Sequence, residues 1–173
     1  MFNIASLVES GAKFSGGRVA VVTNGGGFGV VCADKISIAE NLELANFSKK
    51  TLEMLRARMP ARVNIRNPLD IVGDATTERY KLALDACLAD DNVDAVLLLV
   101  LYQTPMITAD VVEVISEARA KTKKPIVVVS TGAEFTETLS RALETEGLPV
   151  FNYPEDAISA MDKLVWYERA RKT

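Results

Sequence analysis

Arg18-Val-Ala-Val-Val-Thr-Asn-Gly-Gly-Gly-Phe-Gly29 decides the fold of this chain. After Arg18, Val19–Thr23 form an unbroken β-branched and apolar run, the pattern of a strand covered on both faces in a parallel sheet. Four glycines follow in the five residues 25–29, and a helix is expected from about Gly27 to Ala39. Glycine loses more freedom on folding than any other residue, so this concentration signals close approach of backbone to something else. A helix that starts there presents bare N–H groups, carrying about half a positive charge, to any anion in front of it.

The same alternation extends outward. Leu42–Asn46 reads as a second strand, and Ser48 as the N-cap of a helix bearing Leu52, Leu55 and Met59. Thr77 opens a helix with Tyr80, Ala83, Leu84, Cys87 and Leu88 at i, i+3, i+4, i+7 and i+8, the stripe of a helix that covers a sheet. Asp94–Val100 is the strongest strand, followed by a helix marked by Val111, Val114, Ile115 and Ala118. Pro125–Ser130 is another buried strand. The next helix carries Phe135, Leu139, Ala142 and Leu143 and stops at Gly147, where a left-handed residue is wanted. Leu148–Phe151 is the fifth strand, and Pro154 enters a last helix with Ala157, Ile158, Met161 and Leu164. Strands alternating with helices imply an α/β, doubly wound, five-stranded parallel sheet of flavodoxin-like type. Right-handed crossovers leave 2-1-3-4-5 as the expected strand order. Residues 18–173 make up this domain. Residues 1–17 read either as the remnant of an interdomain helix and linker or as an N-terminal helix packed on the domain.

Composition removes whole classes of function. Among 173 residues there are 20 Lys+Arg, 23 Asp+Glu and no histidine, a net charge of −3. That balance lacks the basic surplus of a nucleic-acid-binding domain. Without histidine the chain itself holds no Ser-His-Asp or Cys-His catalytic system, no His-ligated zinc and no phosphohistidine. Cys32 and Cys87 fall on apolar helical positions and read as buried free thiols. No apolar run approaches the roughly 20 residues that span a bilayer, and Met1–Ser10 lacks the features of a signal peptide. The expected setting is the cytoplasm, with neither membrane nor nucleic acid as partner.

The glycine loop lacks Gly-Lys-Ser/Thr, so it is not a Walker loop. Gly27-Phe-Gly29-Val-Val-Cys32 comes near a dinucleotide fingerprint, but Asn46 stands where an acidic ribose ligand belongs. A flavodoxin-like FMN binder stays as a lesser reading. Asn24, Gly25, Gly26, Gly27, Phe28 and Gly29 are the candidate phosphate-binding residues, held by backbone amides without Lys or Arg. The 17 residues Pro60–Thr76 lack a clear element, and loops this long in compact domains are usually functional or disordered. Their core, Asn67-Pro-Leu-Asp-Ile-Val-Gly-Asp74, mixes turn formers with apolar anchors and is expected to fold over the glycine loop. Asp70 and Asp74 there either position a partner or a water, or only cap turns. Thr104, after the third strand, is expected to offer a hydroxyl donor from the opposite wall.

Val19–Asp34 resembles the glycine loop and following helix of NDP-forming acyl-CoA synthetases. Asn67–Ala75, Tyr80 and Asp91–Val96 are similar to that family as well, and the resemblance runs from about Gly17 to the end. It implies the C-terminal flavodoxin-like domain of an α chain, as in ADP-forming acetate–CoA ligase and its relative succinyl-CoA synthetase. The implied reaction converts acyl-CoA, ADP and phosphate to acid, CoA and ATP. The helix beginning near Gly27 would meet the phosphoryl group of a phosphohistidine carried by another domain. Asn67, Pro68, Asp70, Gly73, Asp74 and Thr104 would form accessory loops, with no catalytic side chain and no metal in this chain. This domain alone would bind no cofactor; CoA, ADP/ATP and Mg²⁺ would belong to the assembled enzyme. The implied partners are the CoA-binding and phosphohistidine domains of the α chain and a nucleotide-grasp β subunit or domain, so the isolated chain would be inactive. Many relatives carry proline where Phe28 stands and alanine at Gly25 or Gly26. The other reading is a non-catalytic ligand-sensing or scaffolding module of an acetyltransferase-fused, synthetase-like protein.

Overall fold

A computed structural model of the chain describes residues 2–132 and 134–171. In chain order the elements are α1 (Phe2–Glu9), β1 (Arg18–Thr23), α2 (Gly26–Ser37), β2 (Glu43–Leu44), α3 (Lys49–Arg58), β3 (Leu69–Asp70) and α4 (Thr77–Leu88). They continue with β4 (Ala95–Leu99), α5 (Val111–Ala120), β5 (Ile126–Val129), α6 (Glu134–Thr145), β6 (Val150–Phe151) and α7 (Pro154–Ala170). Local signals set many of these ends. The Ser48 side chain accepts a hydrogen bond from the Thr51 N–H, and Thr76 does the same for Arg79 at the start of α4. Gly147 has φ +76°, and the Leu148 N–H donates to the Leu143 carbonyl at 3.0 Å, closing α6 with a Schellman turn.

All strands are parallel, in the order β2-β1-β4-β5-β6, with β3 also paired to β1. The α/β parallel architecture is as expected, but the order 2-1-3-4-5 requires correction because a sixth strand lies in the segment Pro60–Thr76. β2 pairs only with Arg18 and Val19, while Leu69 and Asp70 pair with Val22 and Thr23 farther along the same edge. Between the two, the Asn67 side chain substitutes for a strand. Its Oδ1 accepts from the Val21 N–H at 2.9 Å, and its Nδ2 donates to the carbonyls of Val19 at 2.7 Å and Ala45 at 3.0 Å. The edge of β1 is thereby paired along its length, as buried backbone requires.

Side chains alternate across the sheet with the period of two that strands impose. Ala20, Val22, Val96, Leu98 and Val128 enter one core with Leu55, Tyr80, Leu84, Ile115 and Leu143 from α3 to α6. Val19, Val21, Leu97, Val127 and Val129 enter the other with Leu7, Cys32, Ile36, Ile158, Met161 and Leu164. α1 therefore belongs to the helix layer beside α7, with Leu7 and Phe14 buried. Among the described residues no helix is long and apolar enough to cross a membrane.

Candidate functional site

The glycine loop sits at the carboxyl end of β1, where the strand order runs one way to β2 and β3 and the other way to β4. Each glycine has a different neighbour. A Cβ at Gly25 would stand 2.5 Å from Leu101 Cδ1, one at Gly26 would stand 2.7 Å from Asp70 Oδ2, and one at Gly29 would meet Thr23 Cγ2 at 3.1 Å. At Gly27 a Cβ would meet nothing within 4 Å. Gly25 is the N-cap of α2 and lends no side chain to the cap. Its N–H donates to Thr23 Oγ1 at 3.0 Å, while its carbonyl accepts from the Phe28 and Gly29 N–H groups at 3.0 and 3.3 Å. Among the described residues no acceptor meets the N–H of Gly26 or Gly27. Both residues are exposed. Two bare donors at the start of a 12-residue helix form an anion-binding geometry.

Asn24 has a different task. It is 2% exposed and locks the loop to the end of β4. Its Oδ1 accepts from the Leu101 N–H at 3.0 Å, and its Nδ2 donates to the Leu101 carbonyl and to Thr104 Oγ1, both at 3.1 Å. The Thr104 hydroxyl in turn donates to the Leu101 carbonyl at 3.0 Å, so its proton is held inside the wall rather than offered to the crevice. The Phe28 ring is half-buried against the α2–α7 core.

The segment Pro60–Thr76 folds over the loop on its β3 side. Pro68 Cβ would stand 3.4 Å from a Cβ at Gly29, Asp70 stands beside Gly26, and a Cβ at Gly73 would stand 3.8 Å from the Asn24 carbonyl oxygen. Asp70 Oδ1 accepts from the Val72 N–H at 2.9 Å, an Asx-type turn that leaves Oδ2 beside the glycines. Asp74 lies outside this cluster. It pairs with Arg62 and with Arg79, whose Nη1 is 2.8 Å away. The Arg79 hydrogen bond, with Arg62 behind it, holds the Asp74 carboxyl below its ordinary range despite some desolvation. Asn67 is taken up by the sheet edge. Of the expected site residues, the fold thus brings together Gly25–Gly29, Pro68, Asp70 and Gly73; it assigns Asn24, Asn67, Asp74 and Thr104 to holding the frame.

A family model described as Ligase-CoA domain matches residues 19–172. The chain belongs to the Ligase-CoA domain family. It is 34% identical over 154 residues to the α subunit of acetate–CoA ligase [ADP-forming] II of Pyrococcus furiosus, covering 87% of this chain and 34% of that protein. It is also 34% identical over 169 residues to acetate–CoA ligase [ADP-forming] I of Archaeoglobus fulgidus, covering 98% of this chain and 23% of that one. A Pyrococcus horikoshii OT3 crystal structure superposes with a TM-score of 0.87 at 30% identity, over 99% of this chain and 40% of the other. The dinucleotide-forming acetyl-coenzyme A synthetase 1 of Ca. Korarchaeum cryptofilum, in complex with phosphate and ADP, gives 0.87 at 28% identity, over 99% and 37%. The chain thus spans about a third or less of the curated relatives' length.

Two residues of this Ligase-CoA domain shape the site without having been singled out from the sequence. Thr23 is fully buried and closes the first turn of α2 through Gly25; a Thr two residues before a glycine is a local turn signal that could have revealed it. Leu101 presses on Gly25 from a distant part of the chain, and nothing local announces that. Tyr102 is 3% exposed, packs edge-on against Phe135 with ring centroids 6.3 Å apart, and burial pushes its phenol above the ordinary range. Burial likewise pushes the Cys32 and Cys87 thiols up to about 12, which leaves them protonated and inert at neutral pH.

Proposed function

We propose that this chain is the phosphate-site module of an NDP-forming acyl-CoA synthetase, contributing the N-terminus of α2 to a phosphoryl group carried by the histidine of a partner domain. The supporting observation is the pair of unpartnered N–H groups at Gly26 and Gly27, with open space at Gly27 and the Asp70 carboxylate beside Gly26, on a helix whose preceding loop is braced by Thr23, Asn24 and Leu101. In the assembled enzyme acyl-CoA and phosphate give an acyl phosphate and CoA. The phosphoryl group passes to histidine with release of the acid, and then to ADP. This chain supplies no covalent group to those steps. Its amides and helix dipole stabilise the phosphoryl charge, a preorganised electrostatic role. Asp70 Oδ2, beside Gly26, cannot welcome a phosphoryl oxygen and instead accepts from the N–H of the arriving imidazole. In this reading CoA, the nucleotide and Mg²⁺ bind in the other domains; relatives named as ADP-forming acetate–CoA ligases support CoA and ADP as ligands of the assembled enzyme.

The decisive substitution is at Gly27 rather than Gly26, since a side chain at Gly26 would also displace Asp70. Gly27→Val should fold with an unchanged circular dichroism spectrum. In a reconstituted mixture with the CoA-binding, phosphohistidine and nucleotide-grasp domains, ATP formation from acetyl-CoA, ADP and phosphate should fall by about a hundredfold or more, the scale of losing oxyanion donors. Unchanged turnover would falsify the phosphate role. A complex that forms but makes no ATP with any acyl-CoA supports the sensing module instead.

A further inference from the structure

At the amino end of the sheet, opposite the glycine loop, lies a cleft of about 620 Å³ between the α1–β1 linker and the α5–β5 turn. That is the size of a small-molecule pocket. Its floor is apolar: Phe14, Pro125, Ile126 and Pro149 line it and are buried. Its rim is cationic: Lys13, Arg119, Lys123 and Lys124 border it, against one carboxylate, Glu168. On a chain of net charge −3, four cations to one anion is a local reversal of sign.

Arg119 makes the reversal specific. It is half-buried, and its Nε and Nη2 donate only to carbonyls, those of Gly147 at 3.1 Å and Ser10 at 3.0 Å. Among the described residues it has no carboxylate partner, so a partly desolvated guanidinium keeps donors and an unneutralised charge at the cleft. Partly buried charge is normally paired, and a guanidinium held in a fixed fork suits a carboxylate or an oxyanion. The Lys124 Nζ donates to the Asp90 carbonyl at 2.7 Å, and its charge also faces the Asp94 carboxylate, so Lys124 adds little to the free charge of the cleft. Lys13 and Lys123 are exposed and meet no carboxylate among the described residues.

We infer that this cleft binds a small amphiphilic anion, its carboxylate, sulfonate or phosphate head against Arg119, Lys13 and Lys123 and its apolar body on the Phe14, Pro125 and Pro149 floor. Because Arg119 fastens both the end of α1 and the α6–β6 turn, such a ligand would bind where three segments meet, well away from the phosphate site. The test is a fluorescence titration of the 173-residue chain with 8-anilinonaphthalene-1-sulfonate at low salt. One saturable site is expected, competed by octanoate and not by octanol. The charge-reversed pair Lys13→Glu/Lys123→Glu, on exposed positions that leave the fold intact by circular dichroism, should weaken binding at least tenfold. Gly27→Val, at the other end of the sheet, should leave the Kd unchanged. Non-saturable binding, a Kd within twofold of the parent in the charge-reversed pair, or a Kd altered by Gly27→Val overturns the site. Displacement by sulfate as effective as by octanoate overturns the amphiphilic class.

Discussion

Gly25 and Gly27 stand two residues apart and answer to different neighbours. A Cβ at Gly25 runs into Leu101 at 2.5 Å, whereas at Gly27 it enters open space. Gly25 is the N-cap of α2, where glycine is preferred to alanine, whereas Gly27 lies within the helix, where propensity favours alanine. Sterics widens the difference. Gly25→Ala should lose about 1–3 kcal/mol, the ordinary cost of overpacking. Gly27→Ala should gain about 0.5–1 kcal/mol from the reduced freedom of the unfolded chain and better helix propensity. Urea unfolding of the two variants beside the parent checks both signs. Equal losses at both positions would mean that the loop, not Leu101, sets the requirement. If Gly27→Ala stabilises while turnover in the assembled enzyme falls, the glycine is there for the ligand and not for the fold.

At the scale of elements, the edge of β1 shows how a short strand is completed. β2 covers the first two residues of β1 and β3 the last two, and the Asn67 amide fills the interval. Asn67→Ala would take the partner from the Val21 N–H and from the Ala45 carbonyl, at about 1–3 kcal/mol each, while the Val19 carbonyl keeps the Ala45 N–H at 2.9 Å. Chemical denaturation should therefore show a loss of roughly 3 kcal/mol or more, with the Pro60–Thr76 segment becoming sensitive to proteolysis first. Asn67→Asp should be nearly as damaging, since it returns the acceptor but not the donor. A loss under 1 kcal/mol in either variant would show that water replaces the amide at no great cost. β3 itself was not legible beforehand. Two residues have no measurable period, and Leu69–Asp70 becomes a strand only because β1 offers an open edge.

The whole molecule carries an acid-sensitive clamp where β1 and β4 begin. Asp94 accepts from the Arg18 N–H at 3.0 Å and from its guanidinium Nε and Nη2 at 3.0 and 2.8 Å. The Arg18 hydrogen bond, outweighing desolvation, holds the Asp94 carboxyl below its ordinary value. A carboxyl depressed by folding contributes stability in full above the unfolded pKa of about 4, and that contribution is lost as pH falls through the folded value. Stability measured by urea midpoint should therefore decline below about pH 4. Asp94→Asn should be less stable than the parent at pH 7 and decline less steeply in acid. Parallel acid limbs in the two proteins would assign the loss to other carboxylates.

The alternation of strands and helices, the caps at Ser48 and Thr76, the stop at Gly147 and the unusual glycine density after β1 were determined by the sequence itself. Each rests on contacts within a few residues, such as backbone torsion, side-chain period or a cap reaching the next turn, so one stretch of chain contains its whole cause. The start of α2 directly after the glycine loop was legible for the same reason. Only the tertiary structure decided that Asn67 completes the sheet and that Asn24 and Thr104 brace the loop. It also placed Asp70 with the glycines, sent Asp74 out to Arg62 and Arg79, and packed α1 on α7. The Asn24–Leu101 and Arg119–Ser10 bonds join residues 77 and 109 positions apart. Such contacts depend on which polar groups the finished sheet leaves unpaired, and that is settled only when distant segments share one core.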